Sequence, residues 1–408
     1  MNDFHLPAHS EILPTSISEA LPVINQAEEI FPYVQEMRRY FHMHPELSME
    51  EEQTCRRICE ELEKMGIPYK IIPPYGVVGY ITGERSGKTV ALRADMDGLK
   101  VQEVNDVPYK SCTPGKMHAC GHDAHMAILL GAAKLLMENR SAINGTVKLF
   151  FQQGEEVGQG APRIVEAGEV DDCGAVFGLH QMTSFKVGEV AIRDRAATGN
   201  NAIFTVKVKG RGGHASQPHE TIDPITATAV MINSLQQMIS RESDPAESVV
   251  LSVGYVDTSS HSCNVIPDEA NFGGTVRFCN PALAPALEES FRRIVSTIAQ
   301  AHRAEVEIFY QNVAESVYND PALTRFASKV LESVVGPINV KSGNQWTASE
   351  DFWEYQRKAP VMYFWLGAGN DVMTQPLHSP SYDIDESALM WGSAIFYKLA
   401  VDYLNSVK

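Results

Sequence analysis

Long apolar runs are missing from this chain: none approaches the roughly 20 residues that a membrane-spanning helix requires. Basic character is also scarce. The 34 lysines and arginines face 51 aspartates and glutamates, a formal charge of −17, which argues against nucleic acid and anionic membrane surfaces as partners. The seven cysteines are scattered and odd in number, so no disulfide framework is expected, and a reduced, cytoplasmic setting is. The opening stretch "MNDFHLPAHSEILPTSISEALPVINQ" has neither a basic start nor an apolar core and does not read as a secretory signal. Internal repeats and low-complexity tracts are absent too.

What is present is an ordinary globular composition, 44% apolar, over 408 residues. That length exceeds one comfortable hydrophobic core, so two domains are expected. Ser48 followed by Glu51 reads as a capping box opening a helix that Gly66 closes, with Cys55, Ile58, Cys59, Leu62 and Met65 on one face. "FHMHPELS" ends an earlier helix at Pro45, and His42 and His44 read as structural. Short strand-like runs follow ("YKII", "VVGYIT", "TVALRA", "TVKLFFQ", "AVFGLH"), with a helix over Ala124 to Asn139 between the third and fourth. Two later runs, "GEVAI" and "VMYFWLG", and a final helix from Glu386 complete one mixed α/β sheet layered by helices. Between them, strand, helix, strand, strand, helix and strand follow in the order βαββαβ, a ferredoxin-like unit. The expected organisation is α/β: a discontinuous catalytic domain over 1–196 and 312–408, interrupted by a second domain over 197–311.

Polar clusters fall at strand ends. "LRADMD" ends at Asp95 to Asp97, "FFQQGEE" at Glu155 and Glu156, and "FGLH" at His180. Ligands bind beyond the carboxyl ends of strands in open α/β sheets, so these clusters are expected to converge. "MHACGHDAH", Met117 to His125, adds Cys120 and His122 just before an apolar helix, and "QPLHSPSYD" adds His378. Thiolate, imidazole and carboxylate make up the ligand set of Zn²⁺ and similar ions. Adjacent side chains of an extended chain diverge, so one of Glu155 and Glu156 is expected to ligate while the other faces water as a base. A rival reading makes Cys120 a nucleophile activated by His122. It leaves the glutamate pair, His180 and His378 without a role. His125 reads as a supporting or surface residue of the helix.

The motifs "LRADMDGL", "MHACGHDAH", "FFQQGEEVGQGA", "FGLH", "GRGGHASQPH", "NVIP", "GGTVR", "SEDF" and "LHSPSYDIDESAL" occur in an order that resembles the amidohydrolase branch of the dinuclear metallo-aminoacylase and carboxypeptidase family. The resemblance covers roughly Tyr33 to Leu389. It implies two divalent ions per subunit, zinc or manganese with cobalt or nickel as alternatives, held by Cys120, His122, Glu156, His180 and His378. It implies Glu155 as general base and Asp97 as the aspartate supporting the centre. The inserted unit would be a lid and dimerisation domain, with His214, Asn264 and Arg277 reaching the substrate. Arg277, or backbone amides near "LGAGN" (Leu366 to Asn370), would clamp a substrate carboxylate. The expected activity is hydrolysis of N-acyl amino acids by a homodimer. A metallo-dipeptidase or aminopeptidase on the same centre is the alternative, and a non-catalytic binder is disfavoured by the intact Glu155.

Overall fold

The computed structural model describes residues 21–343, 346 and 348–406; residues 1–20 of the opening stretch lie outside them. The chain divides into two compact units. The first runs to Ala197 and resumes over 317–343 and from Asp351; the second is Thr198–Ser316 with a short stretch ending at Glu350.

An eight-stranded mixed sheet forms the centre of the first unit. Its spatial order is Tyr69–Ile72, Gly76–Thr82, Asn144–Gln152, Arg85–Asp95, Cys173–Lys186, Val361–Gly369, Val190–Ile192 and Val340–Ser342. The four strands from 144–152 to 361–369 in that order are mutually parallel. Parallel strands are covered on both faces, which is why they read as nearly unbroken apolar runs. On Asn144–Gln152, Leu149 and Phe151 join the main core, whereas Phe150 turns to the other face and packs on Tyr355 with ring centroids 5.6 Å apart. Helices Phe31–Met43, His122–Glu138, Pro321–Val335 and Ala388–Asn405 enter the main core through Val34, Leu129, Leu331 and Leu399. Parallel pairing also aligns the strand ends. Asp95 is in register with Gln152 and His180 with Trp365, so the polar clusters share one rim of the sheet.

The helix expected after Ser48 is observed as Glu52–Lys64, but the capping box is not. Its N-cap, Glu51, makes no side-chain cap bond. Ser48 Oγ instead donates to Asp97 Oδ2 at 2.6 Å, and Glu51 Oε1 accepts from the Gly154 N–H at 2.7 Å. Glu51 and Asp97 are both buried. An unpaired buried polar group is more costly than a helix terminus left to solvent, so the loops win both side chains.

The second unit carries strands Asn200–Lys209, Val249–Thr258, Glu269–Phe278 and Glu305–Ala314 and helices Pro224–Gln237 and Ala284–Ala301. Its sheet order is 249–258, 269–278, 200–209, 305–314, antiparallel throughout, which is the ferredoxin-like arrangement. The last strand runs to Ala314, past residue 311 where the second domain is expected to end, because its pairing with Asn200–Lys209 continues. Asp223 caps the first helix by accepting from the Ile225 and Thr226 amides, with Pro224 following at the helix start. Phe204, Met231, Phe272 and Phe291 fill a separate core.

Candidate metal centre

The centre is built around a glycine. Gly121 sits at φ +85, between Cys120 and His122, as the N-cap of helix His122–Glu138. A Cβ at this position would lie 1.5 Å from Gln181 Nε2, so the left-handed turn requires glycine in both conformation and space. Gln181 Nε2 donates to the Gly121 carbonyl at 2.6 Å, tying this turn to the residue after His180.

Three interlocking groups of donors result. Cys120, His122 and His180 have ligand atoms within 4.8 Å of one another; so do Cys120, Glu156 and His378, and so do His122, Glu155 and Glu156. Cys120 Sγ is 3.4 Å from His180 Nε2, and Glu156 Oε1 is 3.4 Å from His378 Nε2. The shared members, Cys120, His122 and Glu156, join the groups into one cluster. His122 Nδ1 lies 2.9 Å from the Asp97 carbonyl and 3.2 Å from Asp97 Oδ1, and His180 Nδ1 lies 2.8 Å from the Gln181 carbonyl. Each imidazole therefore turns its Nε2 into the cluster, the usual arrangement of a metal-binding histidine.

The residues fit divalent ions. His122 Nε2 and Glu156 Oε1 are buried and make no hydrogen bond among the described residues. Sulfur, nitrogen and oxygen donors together suit zinc-like ions over magnesium or calcium. Charge points the same way. Burial, then Glu156 and Glu155, push the Cys120 thiol well above its ordinary range. Burial would lower His122, but Asp95 and Asp97 outweigh it and raise the imidazole to about 10. The cluster is rich in negative charge that a bound cation would offset. A thiolate nucleophile, in contrast, would need a depressed thiol pKa, and Cys120 shows the opposite.

Glu155 and Glu156 do not lie on an extended strand, as the sequence reading assumed, but in a turn after Gln152. The Gly158 N–H closes on the Glu155 carbonyl at 2.8 Å, and the Glu156 N–H donates to Asp97 Oδ2 at 3.0 Å. Both carboxylates consequently reach the His122 side, and among the described groups only Glu156 also joins Cys120 and His378. Asp95 Oδ2 lies 3.5 Å from His122 Nε2, and Asp95 forms a further donor group with His122 and His125, but its short contacts go to other partners. It pairs with Arg93 at 2.6 Å and with His125 Nδ1 at 2.5 Å; burial opposes its charge, but Arg93 and His122 hold its carboxyl well below the usual range. His125 is buried in this support and is not on the helix surface. His378 adopts φ +65 and is anchored by its N–H to the Ala119 carbonyl at 2.8 Å.

Of a buried network beneath the cluster the sequence shows only His42, read as structural, and not its partners. Arg38 Nε donates to Asp123 Oδ2 at 2.9 Å and Arg38 Nη2 to Asp383 Oδ1 at 2.7 Å. His42 bridges Asp123 (2.7 Å) and Glu103 (3.2 Å). Arg38 and His42, one turn apart on the core side of a helix, were the available signal. Burial and then Arg38 lower the His42 pKa, but Asp123 and Glu103 outweigh them and leave it above 6.5. A raised folded value contributes stability in full below the unfolded pKa, lost as pH rises through the folded one. The stability gap between wild type and His42→Asn should therefore narrow as pH rises above about 6.5, as read by urea denaturation. A gap that widens with pH would contradict this ion pairing.

The second unit places the substrate-side candidates. His214 lies on the short strand Gly213–His214, paired with Val265–Ile266, and the Ala215 N–H donates to the Asn264 carbonyl at 3.1 Å, so His214 and Asn264 are neighbours. Arg277 lies on Glu269–Phe278, half-buried, with Nη1 making no hydrogen bond among the described residues. In the first unit the alternative clamp is largely occupied: the Gly367 N–H donates to the Glu189 carbonyl and the Asn370 N–H to the Met373 carbonyl.

A thiol, three imidazoles and two glutamates, brought together from loops, a helix start and one strand of the parallel sheet, define a metal-dependent hydrolase. Residues 91–402 match peptidase family M20/M25/M40, and the chain belongs to that family. It is 38% identical to IAA-amino acid hydrolase ILR1-like 4 of Arabidopsis thaliana, across 93% of this chain and 88% of that protein. It is 36% identical to N-acetylcysteine deacetylase of Bacillus subtilis (strain 168), across 91% of this chain and 97% of that one. The solved structure of the Bacillus subtilis YXEP protein, described as a dinuclear metal binding peptidase of the M20 family, aligns with a TM-score of 0.84 and 33% identity, covering 93% of this chain and all of that one.

Proposed function

We propose that the protein is a metal-dependent amidohydrolase that releases free amino acids from N-acyl amino acids. The observation carrying this reading is the sharing of His122 by the donor groups and the two glutamates, which places a base-type carboxylate beside the ligand set. A pair of divalent ions, when bound, would acidify a water and polarise the amide carbonyl. Zinc or manganese is the preferred identity, with cobalt or nickel as alternatives, and Cys120, His122, Glu156, His180 and His378 would hold them.

The chain's own residues supply the rest. Glu155 takes a proton from the attacking water and returns it to the departing amine. Asp97 fixes His122 through Nδ1 and fixes Glu156 through its backbone N–H. In the second unit, Arg277, whose Nη1 makes no hydrogen bond among the described residues, is assigned to the substrate carboxylate. His214 and Asn264 are assigned to the scissile amide, His214 as the donor to its oxygen in the transition state. We place the enzyme in the cytoplasm, as all seven cysteines are free. We further read the second unit as a lid through which two copies pair.

A panel of N-acetyl amino acids, N-benzoyl amino acids and dipeptides, assayed after loading with Zn²⁺, Mn²⁺, Co²⁺ or Ni²⁺, tests the reading. N-acyl amino acids should give the highest kcat/KM; preference for dipeptides with a free amine would favour a dipeptidase. His214→Ala should lower kcat and leave metal content unchanged, because the residue meets the transition state and not the resting centre. Mixing His214→Ala subunits with Glu155→Gln subunits should restore activity if the histidine serves a partner's centre. Unchanged kcat in His214→Ala alone would remove the role.

A further inference from the structure

We propose that Glu51 is a positioning residue for the catalytic glutamate turn, acting through its hydrogen bond to the Gly154 N–H. The inference rests on the assignment of Glu155 as base. Glu51 is wholly buried; its Oε1 accepts from the Gly154 N–H at 2.7 Å, and its Oε2 makes no hydrogen bond among the described residues. A buried carboxylate with one oxygen left without a hydrogen bond is an expensive arrangement. Burial, then the charge of Asp97, raise its carboxyl to about 7 against the Glu51, Gly154 and Met49 backbone amides, which lower it. No cap, ion pair or second side chain among the described residues repays that cost.

The location gives the bond its meaning. Gly154 sits at φ +61 immediately before Glu155, and the segment preceding Glu51 touches it again: a Cβ on Gly154 would meet Met49 Sδ at 2.6 Å. Two residues on, the Glu156 N–H is held by Asp97, itself fixed by Ser48 at 2.6 Å. Farther along, the Ala161 N–H donates to Asp351 Oδ2 at 3.1 Å. The turn is thus pinned by its backbone before, within and beyond the glutamates, and the pin nearest Glu155 on the N-terminal side is Glu51. Releasing it frees the peptide that sets the direction of the Glu155 side chain, and a misplacement of about 1 Å costs on the order of 10²-fold.

Reach and charge are separable here. Glu51→Gln keeps a carbonyl oxygen at the same reach and removes the charge; Glu51→Asp keeps the charge and withdraws the oxygen by one methylene. Positioning predicts that Glu51→Gln retains kcat within about threefold, whereas Glu51→Asp loses about 10²-fold in kcat with KM and metal content unchanged. In a Glu155→Gln background, Glu51→Asp should add less than about threefold, because the residue it positions has already lost its function. A Glu51→Asp enzyme within threefold of wild type overturns the proposal, as does an equal loss in both backgrounds. A Glu51→Asp chain that fails to fold or to bind metal also overturns it, since Glu51 would then be structural. Near-normal turnover in Glu155→Gln alone would mark a failure of the base assignment instead.

Discussion

Glu155→Gln is expected to retain the fold and both metal ions while losing about 10²–10⁴-fold in kcat. The substitution is nearly isosteric, and the turn that carries it is held by backbone bonds: the Gly158 N–H to the Glu155 carbonyl, the Glu156 N–H to Asp97 and the Gly154 N–H to Glu51. None of these involves the Glu155 carboxylate. The amide therefore sits where the acid sat, but cannot accept the proton of the attacking water. Metal analysis, thermal unfolding and steady-state kinetics on one preparation check all three parts. Turnover close to wild type would remove Glu155 from the mechanism and shift attention to Glu156.

Chelation should abolish activity completely, and added Zn²⁺ or Mn²⁺ should restore it. The loss is expected to exceed that of any single substitution, because on the proposed assignment the ions would organise five side chains at once. Without a cation, the Cys120 thiol is pushed up by burial, Glu156 and Glu155, and His122 is raised to about 10 by Asp95 and Asp97 against the effect of burial. A stripped centre thus holds protons where it should hold metal. Two further readouts are independent of turnover: a stoichiometry of two ions per chain, and a Tm that falls on chelation and recovers with metal. A chelated enzyme that still formed an acyl-thioester on Cys120 would restore the thiol mechanism.

Much of this centre was legible because its chemistry is local in sequence. Cys120 and His122 share a nonapeptide, Glu155 and Glu156 are adjacent, and the run "FGLH" puts His180 on a strand, although that strand does not end there but continues to Lys186. The βαββαβ order of the second unit was equally plain, since period-2 and period-3.6 patterns alternate cleanly there. What stayed hidden depends on long-range bonds. Ser48 and Glu51 have the spacing of a capping box, and nothing in the sequence shows that their partners lie 49 and 103 residues away. The turn at Glu155 was mistaken for the end of a strand because the apolar run before it gives no sign of where pairing stops. Arg38 was invisible for a related reason: its counter-charges Asp123 and Asp383 come from distant segments.

Val361–Gly369, the last strand to be made, lies in the interior of the sheet, paired with Cys173–Lys186 on one side and Val190–Ile192 on the other. During synthesis, the sheet must therefore wait as two incomplete parts with apolar edges open until nearly the whole chain has left the ribosome. His378 follows that strand, so a growing or prematurely terminated chain has four of the five assigned metal-binding side chains and a sheet with a gap at its centre. A ribosome that stalls before residue 361 would release a product that neither closes its sheet nor completes its centre. Hydrolysis would begin only with a finished protein, and chaperone demand should be concentrated in the interval before Val361–Gly369 emerges.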